Sequence, residues 1–504
     1  MVLLHIKNLT MKKILSLFFF TCFSISYAQI TTSGTGSAFT FNDFVSDPSG
    51  AVTSTEAGVY TLTQNLTVSA NDTLLLDATT RSLHIEGAVS ITILGCVQCE
   101  ERENPLEING IQTGNTDALF EWRFEDSAPS VLAHLRMENG EDIFISHSQI
   151  TIQNCEFTQF NSQVIKYMNC NPIILHCNFH ENRQAAINSA ANVTGSPIIC
   201  YNQFYHNVLD NVNQPQINLG PGTNGRDIII EGNTIEGCSS LSGGIAIANL
   251  LNVGPTQAVI RSNTVENNRY GYTQQGNDIF ALIEDNQFIN NNLEENPMNG
   301  GSGISIYGSD TTCAAKLRRN IISGNLWGIT AINQHSIDMG TADDFGNNRI
   351  FDNANGGQTY ALYNNASSSM TAVGNYWGGD TESFAESVIF HRPDLGDNYG
   401  LVLYTPILTE EHEAVADNDK TDISVYPNPT NGIVNIQMSL ETCLQKFEIQ
   451  VFDMYGRMMD IVGVNDYSPL RYVQIDLTRY STGIYMVEIV TDGKALAVQK
   501  VVKE

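Results

Sequence analysis

Six side chains in the middle of this chain, Lys166, His176, His180, Arg183, Arg226 and Lys316, are of the type that can take a proton from carbon beside a carboxylate. That chemistry also needs a cation to neutralise the acid. Calcium is the candidate, with Glu100-Glu101, Glu294-Glu295 and Asp343-Asp344 as the acidic runs on offer, although such runs are more often solvated loop charges. Hydrolysis of a glycosidic bond would need two carboxylates held across that bond instead. None of these residues recurs at a spacing that brings it beside another on one face. Catalytic residues are therefore unassigned, the reading leans away from an enzyme, and no cofactor is expected apart from calcium. Cys96-Val97-Gln98-Cys99 has the spacing of half a zinc site, but no second Cys or His pair follows, so no metal is assigned. Tyr270, Tyr272 and Tyr307, beside Asn249 and Gln274, suit a sugar better, because ring faces supply an apolar platform and amides supply donors and acceptors.

Whatever these residues do, a repeat must position them. An Asn or Cys followed two places later by a large apolar residue recurs as Cys155/Phe157, Cys177/Phe179, Asn202/Phe204, Asn233/Ile235, Asn263/Val265, Asn286/Phe288, Asn320/Ile322, Asn348/Ile350 and Asn375/Trp377, at spacings from 22 to 34 residues. Three places before these anchors stand Ile152, Ile174, Ile199, Ile230, Ile260, Ile283, Leu317, Phe345 and Ala372. A unit this short, with β-like runs and no amphipathic helix, cannot bury its own apolar side chains and must stack on copies of itself. The expected fold is an all-β solenoid with two or three strands per unit. A third strand is marked by Gly244-Ile245, Gly303-Ile304 and Gly328-Ile329, and insertions are expected as loops on one side, between that strand and the next anchor.

The seven anchors Asn202, Asn233, Asn263, Asn286, Asn320, Asn348 and Asn375 are expected to form a structural ladder about 4.8 Å apart, each taking the left-handed backbone of a corner. A second Asn recurs five places on, at Asn207, Asn268, Asn291, Asn325 and Asn353. Cys155 and Cys177 would stack within disulfide range, and whether they bond or only pack is left open. Glu231, Arg261, Glu284 and Arg318, each two places before an anchor, would put opposite charges on successive units.

The start of the chain reads as an export signal. Met11-Lys12-Lys13, an apolar run over 14–23 and Ser26-Tyr27-Ala28 predict a signal peptide over 1–28 with the true start at Met11 and cleavage between Ala28 and Gln29. No later stretch is long and apolar enough for a membrane span. The 504 residues carry a net charge of −29, from 54 acidic and 25 basic side chains, and no basic patch, which argues against nucleic acid as a partner. Nine of the ten cysteines would survive signal removal, so at least one stays unpaired.

The Asn-x-Phe/Ile units, the segment Asn375-Tyr376-Trp377-Gly378-Gly379 and the later Val402-Leu403-Tyr404-Thr405-Pro406 resemble right-handed parallel β-helix proteins with a pectin lyase-like fold, over about residues 50 to 408. The resemblance implies a fold rather than an activity, since it serves lyases, hydrolases and adhesins alike. Behind an acidic linker at 409–422 come Val425-Tyr426-Pro427-Asn428-Pro429-Thr430-Asn431-Gly432, Val451-Phe452-Asp453-Met454-Tyr455-Gly456-Arg457, Leu477-Thr478 and Ser481-Thr482-Gly483-Ile484-Tyr485-Met486-Val487, with Lys500 and Lys503 at the end. The composition reads as a small β-sandwich. Its landmarks resemble the type A sorting domain of the type IX secretion system. That implies a Bacteroidetes-like envelope, the secretion machinery as partner, and release or anchoring at the outer surface after the domain is removed.

The expected organisation is thus a signal peptide (1–28), a parallel β-helix (29–408), the linker (409–422) and a sorting domain (423–504). The expected function is non-catalytic glycan binding or adhesion, with polysaccharide as the further partner. The alternative is a polysaccharide lyase or glycoside hydrolase acting on an extracellular polysaccharide.

Overall fold

Each unit becomes one coil because short runs of β-branched residues alternate with residues that can turn. One coil is built from the strands Ile150–Gln153, Glu156–Thr158 and Ile165–Met168, and the next from Ile173–Leu175, Asn178–His180 and Ile187–Ser189. Every strand pairs in parallel with its counterpart one coil on: Ile152 opposite Ile174, Phe157 opposite Phe179, Ile165 opposite Ile187. The computed structural model describes residues 29–113, 119–410, 424–437, 447–453, 457–464, 472–491 and 494–504. The signal-like segment with Ala28, linker residues 411–423 and Met454-Tyr455-Gly456 lie outside the described residues.

The first body is a right-handed parallel β-helix with three sheets, here called first, second and third in the order the chain meets them within a coil. It starts sooner than the resemblance suggests, since the strand Gln29–Thr31 already pairs in parallel with Asn65–Val68. The helix Phe41–Phe44 buries both its phenylalanines at this end, and near the other end the helix Glu382–Val388 buries Ala385 and Val388. Small antiparallel hairpins, Val52–Glu56 with Val59–Leu62 and Ala354–Asn355 with Gln358–Thr359, decorate the coils. Inside, Phe157, Phe179 and Phe204 stack with centroids 4.9 and 5.0 Å apart, close to the spacing of the strands that carry them.

The corner between first and second sheets departs from expectation in one respect. The left-handed residue is the one before each anchor: Asn154, His176, Tyr201, Ser262, Asp285, Arg319 and Asn347 have φ between 50° and 59°, and Gly232 and Gly374 have φ of 66° and 69°. Because the preceding residue makes the turn, the anchor side chain is free to point inward. Asn202 Nδ2 donates to Asn233 Oδ1 at 3.0 Å, and the same bond links Asn233 to Asn263, Asn263 to Asn286, Asn286 to Asn320, Asn320 to Asn348 and Asn348 to Asn375, at 2.8 to 3.0 Å. A second row runs from Asn182 to Asn207 and from Asn268 through Asn291 and Asn325 to Asn353. The coil between Asn207 and Asn268 has Cys238 at the row position. Gln216 spans the gap, donating to Asn268 Oδ1 and accepting from Asn207 Nδ2.

Three further expectations are corrected. The column expected to contain Phe345 is filled at that coil by Met339, which is fully buried, while Phe345 is exposed. Residues 340–346 form an insertion after the strand, and Asn375 Nδ2 donates to the Met339 carbonyl as Asn286 Nδ2 does to that of Ile260, the column residue one coil back. Insertions are therefore not confined to one edge, since the long segments 206–216 and 290–301 also join the second sheet to the third. Finally, Arg318 does not continue the outward charge column. Arg261 pairs with Glu231 at 2.8 Å and with Glu284 at 3.8 Å as expected, but Glu284 then pairs with Arg319, and Arg318 turns to Asp338 and Asp344 at 2.8 Å.

The described residues between 424 and 504 form two small antiparallel sheets, Ser424–Tyr426, Ile433–Gln437 and Tyr472–Asp476 in one, and Met458–Val464, Phe447–Asp453, Gly483–Thr491 and Lys494–Lys503 in the other. Val434, Ile436, Val451 and Val487 are among the fully buried residues of their shared core.

Candidate functional site

The third sheet carries one outward row that can be followed along most of the solenoid, with Ala246 and Thr330 its buried members. In register it reads Arg123, Phe144, Lys166, Asn188, Asn218, Ala246, Thr273, Ser305, Thr330, Tyr363 and Phe390. Its chemistry changes in three stages.

The first stage is charged. Arg123 lies over the Phe144 ring at 4.7 Å and bonds Glu121 at 3.2 Å and Glu125 at 2.6 Å. Lys166 Nζ meets Asp142 Oδ2 at 2.7 Å; that carboxylate is almost wholly buried, and no hydrogen bond reaches its Oδ1. Burial and then the charge of Asp142 push the Glu141 carboxyl up from its usual range. The middle stage is small and polar, with Asn218 Nδ2 donating to Asn188 Oδ1 at 2.7 Å.

The last stage is aromatic. Trp327 packs 4.4 Å from Tyr360 and 5.2 Å from Tyr363, and Phe390 lies 4.7 Å from Tyr360 and 6.2 Å from Tyr363. All four rings are half-buried, so each presents part of its face. The Trp327 indole N–H donates to the Pro297 carbonyl at 2.9 Å, which fixes the largest ring. Strand alternation puts Asn365 on the same outward side as Tyr363. Asn365 opens an open hollow of about 450 Å³ lined also by Ser309, Asn333, Gln334, Ser367, Asn398 and Tyr399.

Of the expected sugar-facing residues, Tyr307 is on this face, 40% exposed and in register with Ile332, which is itself opposite Asn365. Tyr270 is half-buried with Gly243 beneath its ring, and burial pushes its phenol up to about 12. Tyr272 is a correction. It is fully buried beside Gln274, to which its hydroxyl bonds at 3.3 Å, so it cannot meet a ligand. Gln274 and Asn249 are buried too, and Asn249 spends its Nδ2 on the carbonyls of Gly254 and Asn277. The cause is parity: in the strand Tyr272–Gly276 the even positions point inward, leaving Thr273 and Gln275 outside.

The candidate proton-transfer residues are scattered over different faces. Lys166 is on the third sheet, Lys316 on the first with Asp344 at 2.8 Å, and His180 on the second, bonded to Glu156 at 2.9 Å and stacked on Tyr205. His176 stacks on Tyr201 at the corner, Arg183 pairs with Asp210 at 3.0 Å, and Arg226 is in an exposed loop. Among the described residues no three His, Cys, Asp or Glu side chains converge as metal ligands would. Cys155 and Cys177 are buried free thiols, and the Cys99 thiol is pushed up to about 12, first by burial. Sequence reading missed Trp327, Tyr360, Tyr363 and Phe390. Only Trp327 carried a signal, standing directly before the third-strand mark Gly328-Ile329.

Compared with known proteins, residues 424–504 match the secretion system C-terminal sorting domain, and residues 228–381 match a family described as a protein of unknown function, DUF1565. No curated protein matches the chain. Among solved structures the periplasmic alginate epimerase AlgG is similar at 15% identity, over 74% of this chain and 84% of that one, with a TM-score of 0.47. A double mutant of the same enzyme is similar at 13% identity, over 76% and 83%, with a TM-score of 0.48. By its own strand pairing the chain is a parallel β-helix protein, and its sorting domain marks it as exported. It carries a type IX sorting domain and is handled by that machinery, which puts it outside the cell or on the outer surface. Among the described residues no helix is long and apolar enough to cross a membrane.

Proposed function

We propose that the outer surface of the third sheet is a glycan-binding face, and that the protein holds an extracellular polysaccharide without cleaving it, as a binding or adhesion protein. The observation that carries this reading is the cluster of Trp327, Tyr360, Tyr363 and Phe390 beside the amide-lined hollow at Asn365. Half-exposed rings give the apolar face of a sugar a platform, and neighbouring amides bond its hydroxyls in either direction. Parallel strands repeat this surface at about 4.8 Å, so the face is suited to a long ligand lying along the axis.

Cleavage has one observation on its side, the raised Glu141 carboxyl next to Asp142 on the charged stretch of the same sheet. A raised carboxyl can act as an acid, but Asp142 is already committed to Lys166. The deciding experiment is incubation of the exported protein with a polysaccharide panel, reading both retention and new reducing or unsaturated ends. Retention that Trp327→Ala weakens, with no new ends, supports the proposal. New ends that disappear in Glu141→Gln or Lys166→Ala would establish the lyase or hydrolase reading instead.

A further inference from the structure

We infer that the polymer held by this face is an uncharged glycan rather than a polyuronate, an inference that rests on the glycan-binding reading above and narrows it to a substrate class. The hollow beside Tyr363 is lined by Ser309, Asn333, Gln334, Asn365, Asn398 and Tyr399, side chains that donate and accept hydrogen bonds without carrying charge. A neutral sugar presents hydroxyls, which also donate and accept, so the two surfaces match. A uronate carboxylate only accepts, and removing its water is costly unless Arg or Lys takes its place.

Among the described residues no Lys or Arg lines the hollow or belongs to the four-ring cluster. Arg392, which follows Phe390 closely in the chain, is tied down by the bond from its Nε to the Tyr399 carbonyl at 2.8 Å. Further along the outward row the cations are Arg123 and Lys166, and both are neutralised in place, Arg123 between Glu121 and Glu125, Lys166 by Asp142. The surroundings add repulsion. Asp310 follows the lining Ser309, and Asp397 precedes the lining Asn398. The hydroxyl and backbone N–H of Thr312 hold the Asp310 carboxyl below its usual range, so it stays ionised at neutral pH. A chain of net charge −29 repels a polyanion before contact is made.

The test is affinity electrophoresis of the full exported protein in gels containing mannan, β-glucan or dextran as neutral probes, and polygalacturonate or polymannuronate as charged ones, at low and high salt. Retardation by a neutral polymer, insensitive to salt and absent with the polyuronates, is the expected result. Asn365 is exposed, so Asn365→Lys should fold normally and gain a salt-sensitive retardation by polyuronate. If the unaltered protein is retarded more by polyuronate than by any neutral polymer, the charge inference is overturned while the glycan-binding reading stands. If no polymer retards it, the glycan-binding reading fails and takes this inference with it. Sedimentation provides the remaining arm: a dimer that Trp327→Ala dissolves would identify the ring cluster as a self-association surface and overturn both.

Discussion

Asn286 and Asn320 are joined twice, since the backbone N–H of Asn286 and its Nδ2 both donate to the single Oδ1 of Asn320, at 3.1 and 3.0 Å. The next coil back does the same to Asn286, whose Oδ1 takes two donors from Asn263 at 3.0 and 2.9 Å. Replacing Asn286 by Val therefore strips the acceptor from two buried donors at once. Denaturant melts of Asn286→Val are expected to lose about 1 to 3 kcal/mol. The neighbouring Asp285, at φ 59°, bears the backbone strain, so Asp285→Val should be destabilising for that separate reason.

Binding and stability should separate at two tyrosines. Tyr363→Ala removes a half-exposed ring, and its expected effect is a loss of glycan affinity of about tenfold or more, equivalent to about 1.4 kcal/mol, with little change in melting temperature. Tyr272→Ala empties a core position and should cost about 3 to 5 kcal/mol in unfolding while the remaining folded protein binds normally. Titration calorimetry and thermal melts on the two variants check both halves.

Acid should loosen the N-terminal end through Asp72. Burial works against its charge, but the Thr32 hydroxyl and the N–H groups of Gly34, Ser37 and Gly36 overcome that and hold the carboxyl down to about 2. A carboxyl depressed on folding stabilises the native state above its unfolded value of about 3.9, and that contribution disappears as pH falls toward the folded value. Stability of the native protein should accordingly fall between about pH 4 and pH 2 more steeply than that of Asp72→Asn, as equilibrium unfolding at each pH would reveal.

Processing gives a prediction at both ends. Mass spectrometry of protein recovered from the native cell surface or medium is expected to find a first residue near Gln29 and no peptide beyond about Asp422. An intact Glu504 on the exported, mature form would contradict removal of the sorting domain.

How far the sequence could be read depended on which corner was being read. Between first and second sheets the turn is one left-handed residue followed by the anchor, as at Asp285-Asn286, and among the nine anchored coils only the segment 340–346 is inserted there. Elsewhere the spacing is constant, and Phe157, Phe179, Phe204, Ile235 and Val265 could be aligned from sequence and pair in register in the fold. Segments such as 290–301 vary freely before the third sheet, so counting from the anchor loses the phase. A slip of one residue exchanges inside for outside, which is why Tyr272 looked available and Tyr363 went unnoticed. Phe345 failed for a related reason, as the insertion at 340–346 moved it off a column that Met339 completes. The sorting domain was legible because its turns are written in Pro, Asn and Gly at set places, with Pro427 and Pro429 between its first two strands.

The amide row has a direction. From Asn202 to Asn375 every side-chain oxygen faces the preceding coil, and every amide-to-amide bond is donated toward the following one, while each Nδ2 also donates back to a carbonyl of the coil before it. A coil that has just wound thus carries two idle donors, and the next Asn to arrive supplies the acceptor for both. For a row built from the N-terminal side, each coil is completed by the one after it. Peeling a coil from either end of the row breaks the same pair of bonds, Asn202 to Asn233 at one end and Asn348 to Asn375 at the other.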